Sequence, residues 1–183
     1  GKQRKTVNED DDSMVQPQSP YAEIKLMEEK ILKKNKKKIR FMSFRFGTIA
    51  GVSPGMRFHT AINKFCFNAA LNQSIKVYKT AYNQHRPYLS IKDAFKIFEF
   101  CIVKNVFKND IFNALSENLT VKQVVAMIKK YNKNIKIKYV NSPIMNQLSY
   151  HVDNTKLNNL GLKLNSNIQK DIKETLKLFV FKK

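Results

Sequence analysis

No part of this chain carries paired glycines where a strand could turn into a helix. The five glycines are Gly1, Gly47, Gly51, Gly55 and Gly161, and no two are spaced to cradle a pyrophosphate at a helix start. Gly-x-Ser-x-Gly elbows and Walker loops are missing as well, which leaves nucleophile-elbow hydrolysis and P-loop chemistry without an anchor. The three histidines, His59, His85 and His151, have no metal-ligand spacing with one another or with a cysteine pair. There are two cysteines, Cys66 and Cys101, and both fall in apolar, helix-periodic segments where a thiol behaves as a small buried hydrophobe. That reading is favoured over a His59–Cys66 nucleophile pair, and reduced thiols point to a cytoplasmic protein. No run approaches the roughly 18 to 20 apolar residues of a membrane span, and no charged leader precedes an apolar signal region. Neither insertion nor export is expected.

Acidic residues and arginine are also few. Fourteen Asp and Glu stand against 34 Lys and Arg, a formal charge of +20, and only five of the cations are arginine. Such a charge supplies non-specific affinity for nucleic acid through counterion release. Arginine, the residue suited to bidentate phosphate and base contacts, is nevertheless scarce. The joint abundance of Lys, Asn and Ile is what A/T-rich codons give a protein of any function. The densest run, Lys33-Lys34-Asn35-Lys36-Lys37-Lys38, follows an expected helix, where cations complement the negative end of its dipole. A basic nucleic-acid-binding module is therefore the minor reading, and no nucleic-acid or membrane partner is expected.

What is present suffices for a folded domain: 183 residues, 43% of them apolar, build a real core. Residues 1 to 18 read as a loop. Ser19 is a good N-cap and Pro20 suits the first helical position, with Ile24, Met27, Ile31 and Leu32 at helical spacing, so a helix is expected over about 20–35. A buried strand over 39–46 ends before Gly47-Thr48, and Gly51, Pro54 and Gly55 mark an irregular loop. A helix over about 60–71 is followed by a strand at 75–78, a polar loop and the segment Arg86–Asp93, with Asp93 expected to cap a helix over 94–104. A strand over 110–114, a helix from Thr120 to 130, a strand over 135–140 and helices near 153–160 and 167–179 complete an α/β alternation.

Tyr21 and Lys25 stand at i and i+4, so their side chains share a helix face. An ammonium beside a phenol favours the phenolate, which lets the tyrosine take a proton from an alcohol near neutral pH. Tyr88 and Lys92 repeat the spacing, without a capped helix start before them or a strand and glycine loop after them.

Five blocks, SPYAEIK, FRFGTIAG, GMRFHTAINKF, HRPYLSIKDAFKIF and LSYHVDNTKLNNLG, run through nearly the whole chain. In this order and spacing they resemble the extended short-chain dehydrogenase/reductases of the NAD-dependent epimerase/dehydratase family, which act on nucleotide sugars. The resemblance implies an α/β fold made of the C-terminal part of a Rossmann-like NAD(P)-binding fold plus the small substrate-binding region. Residues 1–50 would end the Rossmann-like domain and carry the Tyr/Lys helix. Residues 51–183 would form the substrate-binding region, interleaved with the last Rossmann elements. Tyr21 is implied as the catalytic acid/base and Lys25 as its partner on the nicotinamide ribose, with Phe46, Gly47 and Thr48 beside the nicotinamide and the sugar. Thr60, Ile62 and Asn63 are implied at the nucleotide-sugar loop, Val77 and Tyr78 beside the base, Arg86 on the diphosphate, and Arg57 as its helper.

Two departures stand out: Asn141–Gln147 holds no arginine where many members place a second diphosphate contact, and there is no glycine-rich turn. Gly1 resembles the glycine of the Tyr-Gly pair that follows the family's catalytic Ser or Thr. The chain is thus expected to be a fragment that is inactive alone, with NAD or NADP bound mostly by a part preceding it. The full-length protein is expected to be a homodimer. The expected function is epimerisation of a nucleotide-diphosphate sugar through a transient ketose, with a 4,6-dehydratase or reductase of the same family as the alternative, and an inactive scaffold on this fold as a further one.

Overall fold

The computed structural model describes residues 6–10, 17, 19–141 and 149–179. Helix α1 (Pro20–Lys34) starts as its sequence dictates: the Ser19 side chain accepts the Ala22 amide, Pro20 occupies the first turn, and Lys33 and Lys34 sit at the negative end of the dipole. Strand β1 (Thr6–Val7) precedes it, and β2 (Met42–Phe46) follows. Gly47 alone separates β2 from β3 (Thr48–Ala50). Helix α2 (Ala61–Ala70), strand β4 (Ile75–Tyr78) and strand β5 (His85–Ser90) come next, then α3 (Ile91–Val103), β6 (Asp110–Ala114) and β7 (Glu117–Thr120). Helix α4 (Val121–Lys129) opens on a full capping box between Thr120 and Gln123. Strands β8 (Ile137–Val140) and β9 (His151–Val152) and helices α5 (Thr155–Asn158) and α6 (Ile168–Phe179) complete the described order.

Parallel pairing dominates, as the alternation of strands and helices requires. β2 pairs with β6 from Met42↔Asp110 to Phe46↔Ala114, β4 with β8, and β1 with β9. β3 runs parallel to β5 with Thr48 opposite Tyr88, and β7 joins the other edge of β5 antiparallel. The two largest sheets are stitched where their strands succeed one another. The Gly47 amide donates to the Ala114 carbonyl at 2.9 Å, and the Ser116 amide donates to the Tyr88 carbonyl at 2.8 Å.

Period-two alternation along β5 sends Tyr88 into one apolar core and Leu89 into another. The first core is built from Ile62, Cys66 and Ala69 of α2, Val124 and Ile128 of α4, and Ile168 and Ile172 of α6. The second joins Ile97 of α3 to Phe112 of β6, Leu157 of α5, and Leu162 and Leu164 beyond it. Both cysteines are buried free thiols, as the sequence suggested, and burial pushes the Cys66 thiol up to about 12. Two apolar stripes lie outside these cores. Helix α1 buries none of its residues, and Ile24, Met27 and Ile31 are each more than half exposed; Phe95, Phe98 and Ile102 of α3 likewise face outward.

The structure corrects the expected start of α3. Residues 85–90 form a strand, and the helix begins at Ile91 with Ser90 as its N-cap, its hydroxyl accepting the Lys92 amide. Asp93 lies in the first turn and does not cap. The strands β1, β3, β7 and β9, two to four residues long, have no counterpart in the sequence reading, and the helix expected near 153–160 is confined to Thr155–Asn158.

Gly51 has φ +122°, and a Cβ there would lie 2.6 Å from Ile91 Cγ2, whereas a Cβ on Gly55 would meet open space. Gly51→Ala is therefore expected to destabilise the chain by about 1–3 kcal/mol, with Gly55→Ala near neutral. Thermal melts of the two variants check this, and equal melting points would refute it.

Candidate active site

The first turn of α1 presents Tyr21 to solvent at 71% exposure, and Lys25 reaches back over it with Nζ 5.8 Å from the ring centroid. Lys25 also pairs with Glu28 at 2.8 Å, and that hydrogen bond and charge hold its ammonium above the usual lysine range, so it is a fixed cation. What ties α1 to the sheets is a fork: Arg45 Nε and Nη2 donate to the two carboxylate oxygens of Glu29 at 2.8 and 2.7 Å, with both side chains largely out of water. Alternation along β2 turns Arg45 toward the helix. Phe44 and Phe46 lie on the other side, stacked at 5.8 Å and leaning on Phe112 and Phe98. The sequence reading passed over Glu29 and Arg45; the signal was a rare arginine inside an apolar strand.

The turn Phe46-Gly47-Thr48 is set by crowding. A Cβ on Gly47 would lie 3.0 Å from the carbonyl carbon and oxygen of Pro87, so only glycine lets the β2–β3 link pass this close to β5. At the entry to α2, the carbonyl of the exposed Arg57 accepts from Thr60 Oγ1 at 3.0 Å and from Asn63 Nδ2 at 3.1 Å. Thr60 is the N-cap residue, yet its hydroxyl is turned to Arg57 instead of to a helix amide. Asn63 is 3% exposed, and its Oδ1 finds no partner among the described residues. The side chains of Ile62 and Val77 are sealed in the core, so only their backbone is available to a ligand; Tyr78 is half exposed.

Arg86 stands on β5, two residues before the partner of Thr48. Its guanidinium donates to the His85 carbonyl at 3.0 Å and to Gln84 Oε1 at 2.9 Å, and lies 5.5 Å from the Tyr150 ring centroid. The segment Ser149–Val152 is seated against this strand. Ser149 Oγ accepts the His85 amide, Asn118 of β7 both donates to and accepts from the Val152 backbone at 3.0 Å, and the His85 and His151 rings lie 4.2 Å apart, tilted by 38°. Two of the five sequence blocks thus converge on Arg86. The histidine pair had no signal in local spacing, because its members are brought together only by the β5–β9 contact. Of the segment Asn141–Gln147, where the sequence lacks an arginine, all but Asn141 lies outside the described residues.

The second Tyr-x-x-x-Lys is split between elements. Tyr88 is buried in β5, where burial pushes its phenol up, only partly opposed by Arg86; Lys92 lies on α3 and pairs with Glu174 at 2.8 Å. Behind the site two buried aspartates titrate in opposite senses. Burial alone would raise the Asp93 carboxyl, but hydrogen bonds from Ser116, Ser166 and Lys96 outweigh it and hold the group below the usual carboxylate range. Burial pushes Asp171 up, offset only in part by Ser90 and Lys92, and its Oδ2 finds no partner among the described residues. Among the described residues no group of three or more His, Cys, Asp and Glu could hold a metal ion, and no helix is long and apolar enough to cross a membrane.

Comparison with known proteins places this architecture. Structurally the chain aligns with MoeE5 in complex with UDP-glucuronic acid and NAD (TM-score 0.80, 19% identity, 97% of this chain and 60% of that one). It aligns also with the UDP-glucose 4-epimerase of Thermus thermophilus in complex with NAD (TM-score 0.76, 19% identity, 90% and 55%). The fold is thus the Rossmann-like α/β fold of the short-chain dehydrogenase/reductases. The model of the NAD dependent epimerase/dehydratase family matches residues 1–114, and the chain belongs to that family. A curated relative, chloroplastic UDP-sulfoquinovose synthase of Spinacia oleracea, is 29% identical over 114 residues, 58% of this chain and 23% of the relative. The chain therefore spans about a quarter of that curated relative and little more than half of the aligned structures.

Two outcomes follow from these geometries. Glu29→Gln is expected to loosen α1, seen as faster amide exchange confined to residues of that helix; exchange unchanged there would show that the fork does not anchor it. For the aspartates the signs differ. A depressed folded-state carboxyl contributes stability above its unfolded value, about 3.9, that is lost as pH falls through the folded value. Asp93→Asn should therefore lower the melting point at pH 7, and the deficit should shrink toward acid pH. The raised Asp171 works against stability at neutral pH, so Asp171→Asn should hold or raise the melting point there. Melts of both variants from acid to neutral pH decide, and the reverse order at pH 7 would contradict the assignment.

Proposed function

We propose that this chain is the substrate-binding part, with the catalytic helix, of an NAD-dependent nucleotide-sugar epimerase. In this reading residues 1–50 end the Rossmann-like domain and 51–183 form the substrate-binding region. Tyr21 Oη takes the proton of a sugar hydroxyl as that carbon becomes a transient ketone, and returns it on reduction. Lys25, kept charged by Glu28, stabilises the phenolate electrostatically and donates to the nicotinamide ribose. Phe46, Gly47 and Thr48 line the reacting ring. Thr60 and Asn63, with the backbone of Ile62 and Val77 and the ring of Tyr78, take the nucleotide; Arg86, with Arg57, takes the diphosphate. The observation that carries this reading is that the family match over residues 1–114 runs through the Tyr21–Lys25 helix, the Gly47 turn and the Arg86 strand together.

The residues fit one end of a dinucleotide. A phenol and an ammonium at an exposed helix start form the donor set that a ribose and a reacting alcohol need. The link from β3 to α2 runs from Gly51 to Thr60, and the space beside Gly55 is open, so it is no pyrophosphate cradle. Bound NAD or NADP would supply a hydride acceptor and then a hydride donor. In this reading most of its contacts come from residues outside this chain, and the functional unit is a homodimer.

In a polypeptide that includes the dinucleotide-binding part, Tyr21→Phe is expected to lower turnover by about two to four orders of magnitude while nucleotide-sugar affinity stays nearly unchanged. Steady-state kinetics with ligand titration check this, and unchanged turnover would move the acid/base role elsewhere. The chain by itself is expected to bind UDP-glucose in calorimetry and to show no saturable NAD binding; tight NAD binding would overturn the division of labour.

A further inference from the structure

Fourteen Asp and Glu serve the whole chain, yet none occurs among residues 30–92 or 118–152. The fold gathers these two stretches: α2, β4, α4 and β8 all come from them and pack around one core. On α6 and β7, which pack against α2 and α4, the carboxylates are already engaged or sealed. Glu174 of α6 is bonded by Lys92, Glu117 of β7 accepts the Ile168 amide, and Asp171 of α6 is buried at 1% exposure. The outer surface of α2, β4, α4 and β8 thus carries charge of one sign.

One point of this surface works against the fold. Ile75 and Val77 of β4 are buried in the core, so Lys76 and Tyr78 point out of it. Parallel register sets Lys138 of β8 directly opposite Lys76, on the same face and on a strand about 4.8 Å away. Both lysines are exposed, and no carboxylate among the described residues pairs with either. Like charges facing each other on neighbouring strands oppose the pairing. An outward face needs polar residues there, but it does not need two cations. Lys79 adds a third beside Tyr78.

An anion from outside relieves that repulsion. Tyr78, half exposed, stands two residues along β4 from Lys76, about 7 Å on the strand, and belongs to the nucleotide site proposed above. That span is within the Debye length of about 8 Å at physiological salt, so ammoniums at 76 and 138 act on a ligand arriving at Tyr78. A nucleotide sugar brings two negative charges in its diphosphate.

We propose that Lys76 and Lys138 act as a steering pair, which draws the dianionic diphosphate of a nucleotide sugar to this end of the site and speeds association without gripping the bound ligand. This rests on the substrate class read above. The two ammoniums stay in water and form no fixed contact, so their effect is the field they cast over the approach, and it falls on the association rate.

The test is titration of the full chain with UDP-glucose, with association and dissociation rate constants taken from NMR line shapes of the ligand. Salt is varied between about 0.01 M and about 0.15 M, over which the Debye length shrinks from about 30 Å to about 8 Å. The association rate constant is expected to fall on the order of tenfold across that range, with dissociation nearly constant. The double variant Lys76→Gln, Lys138→Gln should slow association several-fold at the low-salt end and leave dissociation unchanged. Lys104→Gln, at the C-cap of α3 in the other core, should have a much smaller effect. An equal loss in the Lys104 variant would overturn the assignment, since it would place the effect in the net charge. Faster dissociation of the double variant at an unchanged association rate would overturn it too, because the lysines would then be contacts. Association independent of salt would overturn steering and leave the substrate reading standing. Absence of UDP-glucose binding at every salt concentration would overturn the substrate reading itself and the proposal with it. Both side chains are exposed, so the substitutions remove no packing; should the double variant nevertheless fail to fold, Lys76→Glu, which reverses one charge, should slow low-salt association by itself, and an unchanged rate would refute the pair.

Discussion

A Cβ at residue 47 would press to 3.0 Å from the carbonyl of Pro87, so a side chain there would have to displace β5, and the arrangement of the sheets depends on that close approach. The chain passes from β2 to β3 through one residue. In doing so it moves from the sheet shared with β6 to the sheet shared with β5. A larger residue would push β5 away, and with it Tyr88 and Leu89, which anchor the two cores from opposite faces of one strand. Packing that close admits little relaxation, so the position of Arg86 relative to Thr48 is fixed by the same contact that orders the cores.

Acidic residues are scarce in this chain, and several of those described are placed at joints. Glu29 joins α1 to β2 through Arg45, and Glu9 accepts the Asn113 amide deep in β6. Asp93 gathers Ser116, Ser166 and Lys96 around the start of α3, Glu117 accepts the amide at the start of α6, and Asp110 meets Lys156 of α5. In a molecule of charge +20, long-range repulsion works against compaction, and carboxylates at the seams oppose it where the elements meet.

Much of the architecture was legible because local chemistry and tertiary structure agree. Ser19-Pro20 opens α1, Thr120 with Gln123 opens α4, and the apolar period of residues 61–70 gives α2 its buried face. The start of α3 was misread because Asp93 has the chemistry of a cap but is drawn three residues into the helix by hydroxyls from Ser116 and Ser166, distant in sequence. Strands of two to four residues are too short to show alternation, and their pairing is decided by neighbours. Of the site, the shared face of Tyr21 and Lys25 could be read from spacing, since helix geometry is local. Burial of the Ile62 and Val77 side chains, the Arg45–Glu29 fork and the His85–His151 contact depend on neighbours that no window of sequence contains.

Helix α1 has fifteen residues, one ion-pair fork to β2, and an apolar stripe of Ile24, Met27 and Ile31 facing outward. A helix of that length is marginal in water without a packed face. Its order as described rests on the Ser19 cap, on Lys33 and Lys34 at the negative end of its dipole and on the Arg45–Glu29 fork, so apolar surface laid against the stripe would add directly to the stability of the segment that carries Tyr21.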